Sequence, residues 1–202
     1  NNSGGMRCGV TPDSYQTVTG MTFVLPSGTK IDTEAPGAEE DFAASEPDLA
    51  AGLMKIREEI LADPELTNRI RHKFEIKNTT GYRLCAFIDG ETPFEIFRRL
   101  IIGSEGPLAF VASVPFKTVE LPAVTTLAWL HFPDIQTAVD PVPELVAAGA
   151  TAVELMVAPA LITAGWNMPG APEYFRELDP ESAALLVEFG GPDEATLDGL
   201  EA

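Results

Sequence analysis

The sequence predicts an α+β fold written in two stretches of different grammar. Between Pro47 and Phe74, apolar residues recur at three- and four-residue steps, the mark of amphipathic helices. Shorter runs such as Met21–Leu25 and Thr125–Phe132 are bounded by Pro or Gly and read as strands. From about Val124 onward the order becomes strand–helix–strand–strand, which is half of a ferredoxin-like sandwich.

Each element follows from local chemistry. Met21 to Asp32 reads as two short strands around Pro26-Ser27-Gly28, with Gly28 supplying the positive φ of the turn. Thr33 to Glu40 is acidic, carries Pro36 and Gly37, and is expected to be a loop. A helix from Pro47 should bury Leu49, Leu53, Ile56 and Ile60 along one stripe. Asp63-Pro64 ends it and starts a second helix, in which Leu66 and Ile70 continue the stripe to about Phe74. Lys77 to Tyr82 is a polar turn. Thr92 caps a helix from Pro93 to Ile101, with Phe94, Phe97 and Ile101 on one face. Gly103-Ser104-Glu105-Gly106 interrupts it, and the alternation from Leu108 to Phe116 predicts a strand. Residues 119–124 are a connector.

Beyond the connector, Thr125 to Phe132 is a strand with Leu127, Trp129 and His131 on one face. Asp134 caps a helix over Ile135 to Ala148 that Pro141 and Pro143 must break or kink, and Gly149 ends it. Thr151 to Met156 is a strand, Pro159 to Thr163 a short helix, and Gly165 to Ala171 a loop. Ala183 to Phe189 is a third strand, and a further helix begins near Asp193.

Composition narrows the function classes. The chain has 202 residues, is 45% hydrophobic and carries a formal charge of −18, enough to build a core and strongly anionic. Such a surface repels phosphate backbones, so nucleic acid is not an expected partner. No run is long and apolar enough for a transmembrane segment. Cys8 and Cys85 form no C-x-x-C pair, and His72 and His131 stand alone. No metal or disulfide framework is expected, and a cytoplasmic setting is the simplest expectation. Seven of the 13 basic residues lie between Lys55 and Arg83, which suits either an anionic ligand or a solvated helix face.

Chemistry concentrates in three glycine-bearing turns: Asn2-Ser3-Gly4-Gly5, Thr80-Gly81-Tyr82 and Gly103-Ser104-Glu105-Gly106. Glycine lets main-chain N–H and C=O groups reach a ligand with no side chain in the way. The dinucleotide Gly-x-Gly-x-x-Gly, the Walker-type loop, His-Glu-x-x-His and Gly-x-Ser-x-Gly are all absent from the sequence.

Four segments in this order carry a resemblance: Asn1-Asn2-Ser3-Gly4-Gly5-Met6-Arg7-Cys8-Gly9, Met21 to Gly28, Lys77 to Tyr82, and Gly103 to Phe110. Together they resemble the FAD-linked oxidases of the vanillyl-alcohol oxidase and p-cresol methylhydroxylase superfamily. The closest look is to the D-lactate dehydrogenase and glycolate oxidase type, particularly the large form with an iron–sulfur domain.

The resemblance implies the second subdomain of a PCMH-type FAD-binding domain over residues 1–121. A partial ferredoxin-like (βαββ) substrate or cap domain would follow over 122–202. It implies FAD as cofactor, a small 2-hydroxy acid as substrate, and hydride transfer to the flavin. Carried over by residue, Asn2, Ser3, Gly4 and Gly5 would lie along the flavin and pyrophosphate. Glu105, Gly106, Ala109 and Phe110 would touch FAD mostly through backbone atoms, and Tyr82 would fall close by. No residue is assigned a catalytic role and none a metal. Pro107 and Ala109 depart from the family's usual Thr and Gly, and Val157 stands where many relatives carry Asp.

On this reading the chain is an internal piece, inactive alone, whose partners are a first FAD subdomain and the rest of the cap in the same polypeptide. Two alternatives stay open: a stand-alone acidic interaction domain, and a family member that kept the fold but lost the flavin.

Overall fold

The computed structural model describes Asn2 and residues 13–198. The chain divides into two compact units, Asn1–Val119 and Glu120–Ala202.

The first unit opens with a one-turn helix, α1 (Ser14–Thr17), whose N-cap Asp13 accepts a hydrogen bond from Gln16 N. Strands β1 (Thr22–Val24) and β2 (Lys30–Asp32) form an antiparallel hairpin. Leu25 N donates to Thr29 O, and Gly28 takes φ 91°, as its turn position requires. Helices α2 (Ala38–Ser45), α3 (Pro47–Ala62), α4 (Pro64–Lys73), α5 (Ala86–Asp89) and α6 (Pro93–Ile101) follow. Strand β3 (Phe110–Ser113) then returns to pair antiparallel with β1, giving the sheet order β2-β1-β3. Phe23, Phe42 and Phe97 lie at the centre of the core, with the Phe42 and Phe97 rings stacked at 5.5 Å.

Several expectations shift here. The acidic stretch read as loop to Glu40 becomes α2 from Ala38. Glu39, Glu40 and Asp41 occupy its first turn, where acidic groups complement the helix dipole, and Phe42 is buried behind them. On α3 the buried side chains are Ala50, Leu53 and Ile60, while Ile56 is 43% exposed. At about 100° per residue, Ile56 sits roughly 60° from Leu53 on the side away from Ala50, at the edge of the packed face. Leu66 is likewise exposed, and Thr67 is buried in its place, its hydroxyl donating to Ile60 O at 2.7 Å. The strand expected from Leu108 to Phe116 pairs regularly only over β3. A register shift opposite Thr22 and Phe23 interrupts it, and Phe116 returns as an isolated bridge to Val18.

The second unit is a three-stranded antiparallel sheet. Strands β4 (Val124–Phe132), β5 (Ala152–Val157) and β6 (Ala183–Gly191) lie in the order β4-β6-β5, so the last strand fits between the first two. That is the split arrangement a strand–helix–strand–strand order produces. Asp134 caps α7 (Ile135–Val139) through Thr137 N at 2.7 Å, and Pro141 separates it from α8 (Val142–Ala147). Helix α10 (Glu194–Asp198) follows β6. Leu185, Val187 and Phe189 of β6 form the core on one face with Ala138 of α7 and Leu197 of α10. On the other face, Leu161 of helix α9 (Ala158–Asn167) and Phe175 of a short 3-10 helix (Glu173–Glu177) pack on Ala184.

Helix α9 runs past the short helix expected, and Gly165 lies inside it, outside any loop. A Cβ at Gly165 would stand 3.0 Å from Phe175 Cβ and 3.3 Å from Arg176 N, so this glycine permits close packing and makes no turn. No helix among the described residues is long and apolar enough to cross a membrane.

Candidate functional site

Asn2 and residues of the two other turns singled out in the first unit border one hollow. A hollow of about 140 Å³ has Asn2 on one side, Asn78, Thr79, Gly81 and Arg83 on a second, and Ile102, Gly103 and Glu105 on a third. A broader, more open depression of about 460 Å³ adjoins it through Glu105. It is bordered by Ile101, Ser104, Gly106 and the start of β3 at Ala109, Phe110 and Val111.

Local sequence explains each wall. Helix α6 ends at Ile101, and Gly103 (φ 88°), Glu105 (φ 63°) and Gly106 (φ 98°) turn the chain sharply toward β3. Glu105 is the one non-glycine with positive φ among the described residues, a conformation that costs energy for an L side chain and favours functional loops. At Gly81 and Gly106 an added Cβ would meet no atom within 4 Å, so these backbones face open space. Thr80 N donates to Asn78 Oδ1, which closes the second turn.

A buried polar network lies behind the hollow. Asp13 and Arg83 form an ion pair, Nη1 to Oδ2 at 2.5 Å, with side chains only 7% and 8% exposed. Arg83 Nε donates to Cys85 Sγ at 3.3 Å, and the guanidinium lies 4.1 Å over the Tyr15 ring. Burial works against the Arg83 charge, but the hydrogen bonds to Cys85 and Asp13 outweigh it and raise its pKa. Burial also pushes the Cys85 thiol up. It raises the Tyr15 phenol further, helped by the neighbouring Cys85 and Asp89.

The anticipated site residues divide accordingly. Asn2, Glu105, Gly106, Ala109 and Phe110 line the two depressions. The Asn2 amide is engaged inside the protein, its Nδ2 donating to Asp13 Oδ2 and its Oδ1 accepting from Tyr15 N. Ala109 is buried in the core, so its extra methyl packs inward, whereas Phe110 is 71% exposed. Tyr82 lies between two lining residues, is 45% exposed, and borders neither depression. Ser3, Gly4 and Gly5 lie outside the described residues.

Sequence reasoning did not single out Asp13, Tyr15 or Arg83. Arg83 directly follows the Gly81-Tyr82 turn, but nothing local announces its partner 70 residues away. Of the basic run from Lys55, Arg69, Arg71, Lys73 and Lys77 are exposed to solvent, and Arg83 alone lines the hollow. Among the described residues, no group of three or more His, Cys, Asp or Glu side chains is arranged to hold a metal.

The walls suit one side of a flat, partly anionic cofactor. They offer bare main chain at Gly81 and Gly106, an amide and hydroxyl at Asn78 and Thr79, and an unpacked aromatic ring at Phe110.

Residues 121–200 match the family described as FAD linked oxidases, C-terminal domain. The D-2-hydroxyglutarate dehydrogenase of Escherichia coli is 33% identical over 126 residues, covering 59% of this chain and 12% of the relative. The enzyme of the same name from Haemophilus influenzae is 27% identical over 146 residues, covering 70% of this chain and 13% of the relative. The chain therefore spans about an eighth of the length of these curated relatives.

Proposed function

Because residues 121–200 match the FAD-linked oxidases, whose cofactor is FAD, we propose that the chain belongs to that family and that its first unit forms one wall of the flavin site of a 2-hydroxy-acid oxidoreductase. The observation that carries this is the convergence of Asn2, Gly81 and Gly103–Glu105, three separate stretches of sequence, on one hollow. The second unit, in the matched region, is then the opening part of the substrate domain. FAD, held there, would supply the redox chemistry of a hydride acceptor. The chain's own residues orient it: the bare backbones at Gly81 and Gly106 allow close approach, and Phe110 covers an apolar surface.

A first FAD subdomain in the same polypeptide would complete the slot, since a single open wall encloses too little of a ligand for tight binding. The relatives' names make D-2-hydroxyglutarate the first substrate to try, with D-lactate and glycolate beside it.

Protein expressed from the whole gene is expected to purify yellow and to bleach anaerobically on addition of one of these acids. Flavin that stays oxidised with every 2-hydroxy acid tried sinks the substrate class, and protein that takes up no FAD sinks the flavin reading itself.

A further inference from the structure

We propose that Arg83 is a positioning residue, which ties two walls of the hollow together through Asp13. This rests on the flavin reading above.

The connection is continuous. Asp13 Oδ2 accepts from both Arg83 Nη1 and Asn2 Nδ2, while its Oδ1 accepts from Gln16 N. Asn2 Oδ1 in turn accepts from Tyr15 N. The Asn2 side of the hollow is thereby fixed to the turn that carries Gly81 and Arg83. Neither segment reaches the other through a strand or helix ladder, since Asn2 lies in no regular element and residues 74–85 in none.

The side chain suits that task. Its fork points two donors in different directions, to Asp13 and to Cys85, and its flat faces meet the rings of Tyr15 at 4.1 Å and Phe74 at 5.5 Å. Lysine would supply the charge but neither the second fixed donor nor the plane. Among the described residues, Arg83 is also the only cation lining either depression, yet Asp13 neutralises it at contact distance. Its contribution to the site is therefore geometric more than electrostatic.

Energetics point the same way. Taking two charges out of water costs about as much as their attraction returns, so a buried pair is a weak source of net stability. Removing one partner strands a buried charge and is severe, whereas replacing both with apolar side chains of similar size is often neutral. This asymmetry separates a positioning role from a merely structural one.

The test uses the Asp13→Leu/Arg83→Met double variant in protein expressed from the whole gene, titrated with FAD. Thermal stability is expected to stay close to wild type while the FAD dissociation constant rises about tenfold or more, with an altered visible circular dichroism of the bound flavin. Wild-type affinity and spectrum at unchanged stability overturn the proposal.

Should the double variant not fold, Arg83→Lys gives the answer, because it keeps a charge opposite Asp13 and removes the second fixed donor and the planar face. A raised dissociation constant supports the proposal, and an unchanged one overturns it. Wild-type protein that binds FAD beside variants that bind it equally well defeats this inference alone. Wild-type protein that binds none defeats the flavin reading as well.

Discussion

The Tyr15 hydroxyl donates to Asp89 Oδ2 at 2.7 Å, linking residues 74 apart in sequence. It joins α1 to the end of α5 beneath the candidate site. The phenol must remain protonated to make this bond, and burial, first among the causes, holds it well above its ordinary value of 10.0. Because the folded pKa is raised, the contribution to stability is fully present below pH 10.0 and is lost as pH climbs above it, where only the unfolded chain readily gives up the proton. Thermal melts between about pH 8 and 11 should show a steeper alkaline loss for wild type than for Tyr15→Phe. Parallel curves would refute the assignment.

Phe42 and Phe110 separate structure from site. Phe42 is fully buried between Phe94 and Phe97, so Phe42→Ala should cost about 3–5 kcal/mol in a denaturant titration. Phe110 is exposed on β3, so Phe110→Ala should change stability by less than about 0.5 kcal/mol. If Phe110 faces the flavin, the same change raises the FAD dissociation constant severalfold. A large loss of stability from Phe110→Ala would show that the ring is packed.

Gly90 sits where helix α5 ends and α6 approaches. A Cβ there would lie 2.9 Å from Ile96 N and 3.0 Å from Ala86 O, both backbone atoms that cannot give way. Gly90→Ala should destabilise the first unit by about 1–3 kcal/mol. Gly52→Ala is the control, since nothing lies within 4 Å of its added Cβ and it occupies a helix interior, where alanine is favoured. The two melting temperatures should move in opposite directions.

In the second unit, Trp129 Nε1 donates to His131 Nε2 at 2.7 Å, which requires that nitrogen to be unprotonated. In a Trp166→Phe background, which leaves Trp129 as the single tryptophan, His131→Leu removes the acceptor and should shift the Trp129 emission maximum. An emission spectrum unchanged by that substitution would show that the indole N–H does not depend on His131.

What was legible in the sequence were features whose cause is local. Gly28 announces a turn because its backbone must take a positive φ, and Thr92 and Asp134 announce helix starts because their side chains cap nearby N–H groups. The break at Pro141 follows from a missing N–H. Less legible was whatever depends on a partner far along the chain. Ile56 keeps helical spacing yet stays exposed, and Gly165 reads as a loop residue until Phe175 and Arg176 are seen packed on it.

By itself, then, the sequence determined the class of the fold, most of its elements and the turns in which backbone is left bare, because periodicity, capping and glycine act over a few residues. The tertiary structure alone decided that Asn2, Gly81 and Glu105 border one hollow, and that Arg83 meets Asp13 behind it. A long-range ion pair costs desolvation that no short window of sequence can register. It becomes visible only when both charges are found in the same dry place.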